Sequence, residues 1–109
     1  MHKFLVAFIF ALLATSMAKS QVTTVSGNLT DSVNNKKLQL SSVSLLRQSD
    51  SVLIKYTRSD KDGFFRLNIK DTGHYILNIT HPGFADYSDT VSITGANNYD
   101  LGSLYLTLK

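Results

Sequence analysis

An acidic glycine turn placed directly ahead of an alternating apolar run constrains this chain more than any other feature. In Ser59-Asp60-Lys61-Asp62-Gly63-Phe64-Phe65-Arg66-Leu67 the aspartates can bond their own backbone and Gly63 tolerates positive φ, so the chain is expected to reverse there. Phe65, Leu67 and Ile69 then recur at every second position, the period of a strand with one buried face. Ten residues after Gly63 the arrangement repeats, with Gly73 ahead of Tyr75, Leu77 and Ile79. A helix would show apolar positions three and four apart, so both stretches predict turn followed by strand in an all-β chain.

The first 20 residues follow a different rule. Met1-His2-Lys3 is a short basic start, Phe4 to Ala14 is an apolar run, and Ala18-Lys19-Ser20 offers small residues at the positions a signal peptidase reads. A membrane-spanning anchor needs about 20 apolar residues, and this run stops after 11, before Thr15 and Ser16. Residues 1–20 are therefore expected to be a cleaved signal peptide, with Gln21 opening the mature domain over 21–109. Without a cysteine in the chain, no lipid anchor of the lipoprotein type is expected.

A domain of 89 residues lies near the lower limit for a core without covalent staples, and no disulfide can form here. Such an exported chain has to rely on packing, which a two-layer sandwich achieves. Removing Lys3 and Lys19 lowers the formal charge from +3 to +1. Lys36-Lys37 is the only adjacent basic pair, so nothing resembles the basic stripe of a nucleic-acid binder.

Short alternating segments separated by polar turns continue along the whole mature chain. Val25, Gly27 and Leu29 share one face of a first strand, and Asp31 to Lys37 is a polar loop. Val43 and Leu45 mark a second strand, Val52 to Thr57 a third, and the run after Gly63 a fourth. Asp71-Thr72-Gly73 turns into a fifth over Tyr75 to Thr80, which Pro82-Gly83 ends because proline cannot donate to a ladder. Tyr87 to Ile93 is a sixth. After a turn over residues 95–98, Leu101, Leu104, Leu106 and Leu108 point to a seventh. Seven short strands without helical periodicity predict a seven-stranded Greek-key β-sandwich rather than a barrel.

The order of these elements resembles the carboxypeptidase regulatory-like domain, a prealbumin (transthyretin)-like β-sandwich. Val25-x-Gly27-x-Leu29-x-Asp31 looks like its opening strand, Ser41 to Leu45 like its second, and Asp60 to Phe65 like its central turn. Gly73-His74-Tyr75, Pro82-Gly83-Phe84 and Asp100-Leu101-Gly102-x-Leu104-x-Leu106 look like its later signatures. Ser59 stands where the family usually has threonine, Lys37 where proline is frequent and Ser41 where alanine is common. The resemblance implies a module often found ahead of the plug and barrel of TonB-dependent outer-membrane receptors of Bacteroidetes-type bacteria, or after a metallocarboxypeptidase domain. Because the sequence stops at Lys109, directly after the last expected strand, neither transport nor peptidase activity is expected to come with it.

Candidate chemistry is sparse. Asp60-x-Asp62-Gly63 looks like the start of a calcium loop, but such a loop ends on a bidentate glutamate about 12 positions along, and the sequence contains no glutamate. Asp60, Asp62 and Gly63 therefore read as a structural turn, as do Gly73 and Gly83. His74 and His81 fall on opposite parities of one strand, too few and too divergent for catalytic zinc. A nucleophile elbow of the glycine-x-serine-x-glycine kind does not occur, so no enzyme, cofactor or metal is expected. Asn28-Leu29-Thr30 and Asn78-Ile79-Thr80 fit the glycosylation acceptor pattern, which would be silent in the bacterial host that the resemblance implies. Tyr56, Tyr87, Tyr99 and Tyr105 could form a stacking platform, although Tyr56 also suits a core position. Period-two parity turns Phe64 and Tyr105 away from the core side, which makes them the candidate contact surface. The expectation is an exported interaction or accessory module meeting a protein or glycan at the cell envelope, in the periplasm, on the outer-membrane surface or outside the cell. The alternatives are a carbohydrate-binding module and a stand-alone fragment of a receptor N-terminal domain.

Overall fold

The computed structural model describes residues 22–95 and 97–109; the expected leader over 1–20, Gln21 and Ala96 of the last turn lie outside the described residues. Seven strands follow in order: β1 (Thr23–Asp31), β2 (Ser42–Arg47), β3 (Leu53–Arg58), β4 (Phe64–Ile69), β5 (Gly73–Thr80), β6 (Tyr87–Ile93) and β7 (Asn98–Leu106). They form a three-stranded sheet ordered β4-β1-β7 and a four-stranded sheet ordered β3-β2-β5-β6. All pairs are antiparallel except β1 with β7, which run parallel. Among the described residues there is no helix.

Alternation decides which side chains meet between the sheets. Val25 and Leu29 of β1, Val43 and Leu45 of β2, Phe65, Leu67 and Ile69 of β4, Tyr75, Leu77 and Ile79 of β5, Val91 and Ile93 of β6 and Leu106 of β7 form one buried cluster, closed by Leu38 and Phe84 from loops. Gly27 belongs to this face because Phe65 lies across it. A Cβ there would sit 2.9 Å from the Phe65 ring, a contact that real side chains do not make.

A bulge solves a phase problem in β7. Tyr99 and Leu101 have one parity, Leu104 and Leu106 the other, yet all four pack against the core. Between Ser26 and Asn28 of β1 the opposing strand advances from Asp100 to Ser103, one residue too many. The extra residue falls at Gly102, whose φ is 71° and whose N–H donates to Asp100 Oδ1 at 2.9 Å. One inserted residue turns the rest of the strand over, so the later leucines face inward again.

Three local expectations are corrected. Strand β3 begins at Leu53, not Val52, and β7 ends at Leu106. Leu108 instead makes an isolated bridge with Phe84, supported by Ala85 N–H donating to Thr107 O at 2.7 Å and Lys109 N–H to Gly83 O at 3.0 Å. Tyr56 is not in the core: it is 49% exposed, because it sits opposite outward Ser44 on β3, an edge strand with no second sheet above that side.

Candidate functional site

Asp60 organises the turn that carries the chain from one sheet to the other. Its Oδ1 accepts the N–H groups of Asp62 at 2.9 Å and Phe64 at 3.0 Å. Its own N–H donates to Phe64 O, and Gly63 N–H donates back to Asp60 O, both at 2.9 Å. Gly63 has φ 76°, and a Cβ there would lie 2.5 Å from Leu29 O, so this position needs glycine for both conformation and room. Leu29 N–H donates to Gly63 O at 2.7 Å, which fixes the turn to β1. Asp62 contributes its N–H and carries an exposed side chain.

The two aromatics that parity turns outward share one surface. Phe64 of β4 lies opposite Asn28 of β1, which lies beside Ser103 of β7; in the next row Thr30 lies beside Tyr105. The outer face of the β4-β1-β7 sheet thus carries the Asn28 amide and the Ser103 hydroxyl with an aromatic near each edge, and Arg66 and Asp100 flank Ser26 in the row beyond. Tyr105 is 53% exposed, whereas Phe64 is half-buried with the Arg66 guanidinium 5.5 Å from its ring centroid, a cation–π contact. Thr30 beside Tyr105 is buried, and its Oγ1 has no hydrogen-bond partner among the described residues. Tyr87 and Tyr99 pack against the core and Tyr56 belongs to the other sheet, so the four tyrosines form no common platform.

Two clefts sit at the ends of the four-stranded sheet. One, of about 460 Å³, is lined by Arg47, Gln48, Asp71, Gly73, His74 and Tyr75 among others. Its rim is held by the Arg47–Asp50 ion pair at 2.9 Å and by Tyr75 O–H donating to Asp71 O at 2.8 Å. The other, of about 410 Å³, includes Ser42, Arg58, Thr80, His81, Gly83 and Lys109. Gly73 and Gly83 therefore each edge a cleft. His74 and His81 lie at opposite ends of β5, the first bonded to Ser92 Oγ at 2.9 Å and the second to Ser41 Oγ at 2.7 Å. Ser41 is fully buried, so its hydroxyl cannot reach a substrate and the Ser41–His81 pair is a structural tie. Ser59 completes it, donating to Leu38 O at 2.6 Å while accepting the Ser41 N–H at 2.9 Å.

Tyr56 and Arg58 were not legible as a pair, although their spacing of two on one strand was the available signal. Arg58 Nε–H donates to the Tyr56 hydroxyl at 2.9 Å. That bond, together with one from the Ser42 side chain, holds the Tyr56 phenol below its ordinary pKa, and it holds the Arg58 guanidinium above its own.

The model of the carboxypeptidase regulatory-like domain family matches residues 24–107. No curated protein sequence matches the chain. Among solved structures, the TIE protein of Bacillus anthracis is similar with a TM-score of 0.67 at 12% identity, over 82% of this chain and 18% of that one. The 3-chlorocatechol 1,2-dioxygenase of Rhodococcus opacus is similar with a TM-score of 0.60 at 8% identity, over 84% of this chain and 61% of that one. The 5-hydroxyisourate hydrolase of Klebsiella pneumoniae gives 0.59 at 14% identity, over 79% and 91%. The chain spans less than two thirds of the length of the first two, and at these identities the likeness is one of fold alone.

Proposed function

The chain belongs to the carboxypeptidase regulatory-like domain family, and we propose that it is an exported, non-enzymatic β-sandwich serving as an accessory interaction module at the cell envelope. The observation that carries this reading is the outer face of the β4-β1-β7 sheet, where Phe64 and Tyr105 flank Asn28 and Ser103. An aromatic with a polar tip supplies contact area at little entropic cost, and flat hydroxyl and amide groups supply adaptable hydrogen bonds. Export rests on Lys3, the apolar run from Phe4 and Ala18-Lys19-Ser20. The mature chain then begins at Gln21, which mass spectrometry of envelope and secreted fractions would detect; a full-length chain retaining Met1 would overturn export.

The same face favours a second reading, a carbohydrate-binding module, because aromatics bordering amides and hydroxyls are also what a sugar ring stacks and bonds on. Photo-crosslinking from position 105 in intact cells separates the two. Under the protein-contact reading a discrete protein adduct forms from position 105 and not from Ser92 on the other sheet. Glycan-array binding lost in Tyr105→Ala would instead establish the carbohydrate reading, and neither signal would sink the choice of this face.

A further inference from the structure

We propose that the cleft at Arg58 binds the oxyanion group of a ligand, a carboxylate, sulfate or phosphate. This site lies on the four-stranded sheet and stands independently of the Phe64–Tyr105 face. The pairing register places Arg58 of β3, Ser42 of β2 and Thr80 of β5 in one row across the outer side of that sheet, and all three line the 410 Å³ cleft. Neighbours in such a row lie about 5 Å apart, a spacing that lets the Arg58 guanidinium and the Thr80 hydroxyl converge on one group of oxygens, while the Ser42 hydroxyl bonds the Tyr56 phenol and helps to hold it in place.

Arg58 is prepared for that role. Its Nε–H is already committed to the Tyr56 hydroxyl, which fixes the plane of the guanidinium and leaves both terminal nitrogens to donate. A planar fork with fixed orientation loses less entropy on bidentate binding than a free side chain does. The one ion pair among the described residues is Arg47–Asp50 at the opposite end of the sheet, so Arg58 has no carboxylate of its own. Around it the cleft carries Lys109 and His81, and Asp86 is the single acidic side chain in the lining. Arg58, which makes no ion pair with Asp86, therefore presents its terminal nitrogens beside the Thr80 hydroxyl with Lys109 and His81 nearby. Donors and cations outnumber the one carboxylate in the cleft, and an oxyanion supplies the acceptor that Arg58 lacks.

The test is an NMR titration of the purified chain with sodium acetate, sulfate and phosphate in turn, each held at constant ionic strength with sodium chloride. At least one probe is expected to give saturable shifts at the Arg58 Nε–H and at the Ser42 and Thr80 amides. Saturation by acetate identifies a carboxylate site, and saturation by sulfate or phosphate a tetrahedral one. Arg58→Gln should abolish the response. Tyr56→Phe, which keeps the cation but frees it, should weaken binding severalfold, up to about tenfold for loss of a charge-assisted contact. Arg66→Gln, an equal charge change on the other sheet, should leave the response intact. Shifts that match sodium chloride alone, or saturable shifts that survive Arg58→Gln, would overturn the site.

Discussion

Gly63 concentrates two demands in one residue: a left-handed backbone at φ 76° and the absence of any atom where Leu29 O stands. Alanine could meet neither without moving the turn away from β1. Gly63→Ala is therefore expected to cost more than the roughly 1 kcal/mol of conformational strain alone, with chemical denaturation as the measurement. A cost within error of zero would mean that the turn relaxes freely and that the Leu29–Gly63 hydrogen bond contributes little. Calcium is not part of this account, since Asp60 Oδ1 already accepts two backbone N–H groups. Melting curves with millimolar calcium and with chelator are expected to superimpose, and a shift lost in Asp62→Asn would reveal an ion at the turn.

Strand β5 is the element on which both the core and the outer surface depend, because it is paired on both sides, with β2 and β6. Leu77 is 1% exposed while its neighbour Asn78 faces outward. Leu77→Ala should cost about 2–5 kcal/mol and Asn78→Ala far less; the reverse order would mean that the strand sits one residue out of register. This alternation was legible in the sequence, as were the seven strands, because period two reports which face a residue takes. Period two says nothing about which strand lies alongside. The parallel pairing of β1 with β7 joins residues more than 70 positions apart, and Tyr56 could be assigned outward only once β3 was known to be an edge. The odd step from Leu101 to Leu104 did encode the Gly102 bulge, but an odd step reads equally well as the end of a strand. The edges of the four-stranded sheet show a further device that periodicity hides. Lys55 and Asp89 occupy inward parity opposite Leu45 and Leu77 yet remain exposed, and Asp89 Oδ1 accepts the Thr90 N–H at 2.8 Å. Inward charges and a capped N–H discourage a second sheet from adding to those edges.

For the molecule as a whole, with no disulfide to close it, resistance to acid depends on carboxylates whose charged form the fold prefers. Asp31 is the best placed of these. The Val33 N–H at 2.8 Å and the Asn34 side-chain amide at 3.0 Å hold its carboxyl below the ordinary value of 3.8, against an opposing effect of burial. Exposed Asp50 is lowered as well, first by the Val52 N–H and also by Arg47. A carboxylate with a lower pKa folded than unfolded adds stability that is fully present above 3.8, where both states are ionised. That contribution disappears as pH falls through the folded value, where both are protonated. The fold should therefore hold its stability down to the ordinary carboxylate range and lose it progressively below. Asp31→Asn should lower stability near neutrality, where the charged bonds are lost, and flatten the acid limb of the curve, because the group that took up the proton is gone. Thermal denaturation of both proteins across the acid range measures this. If the variant kept the full acid dependence, Asp31 would not be the group that closes the loop after β1, and acid sensitivity would have to come from Asp50 or from carboxylates elsewhere on the sandwich.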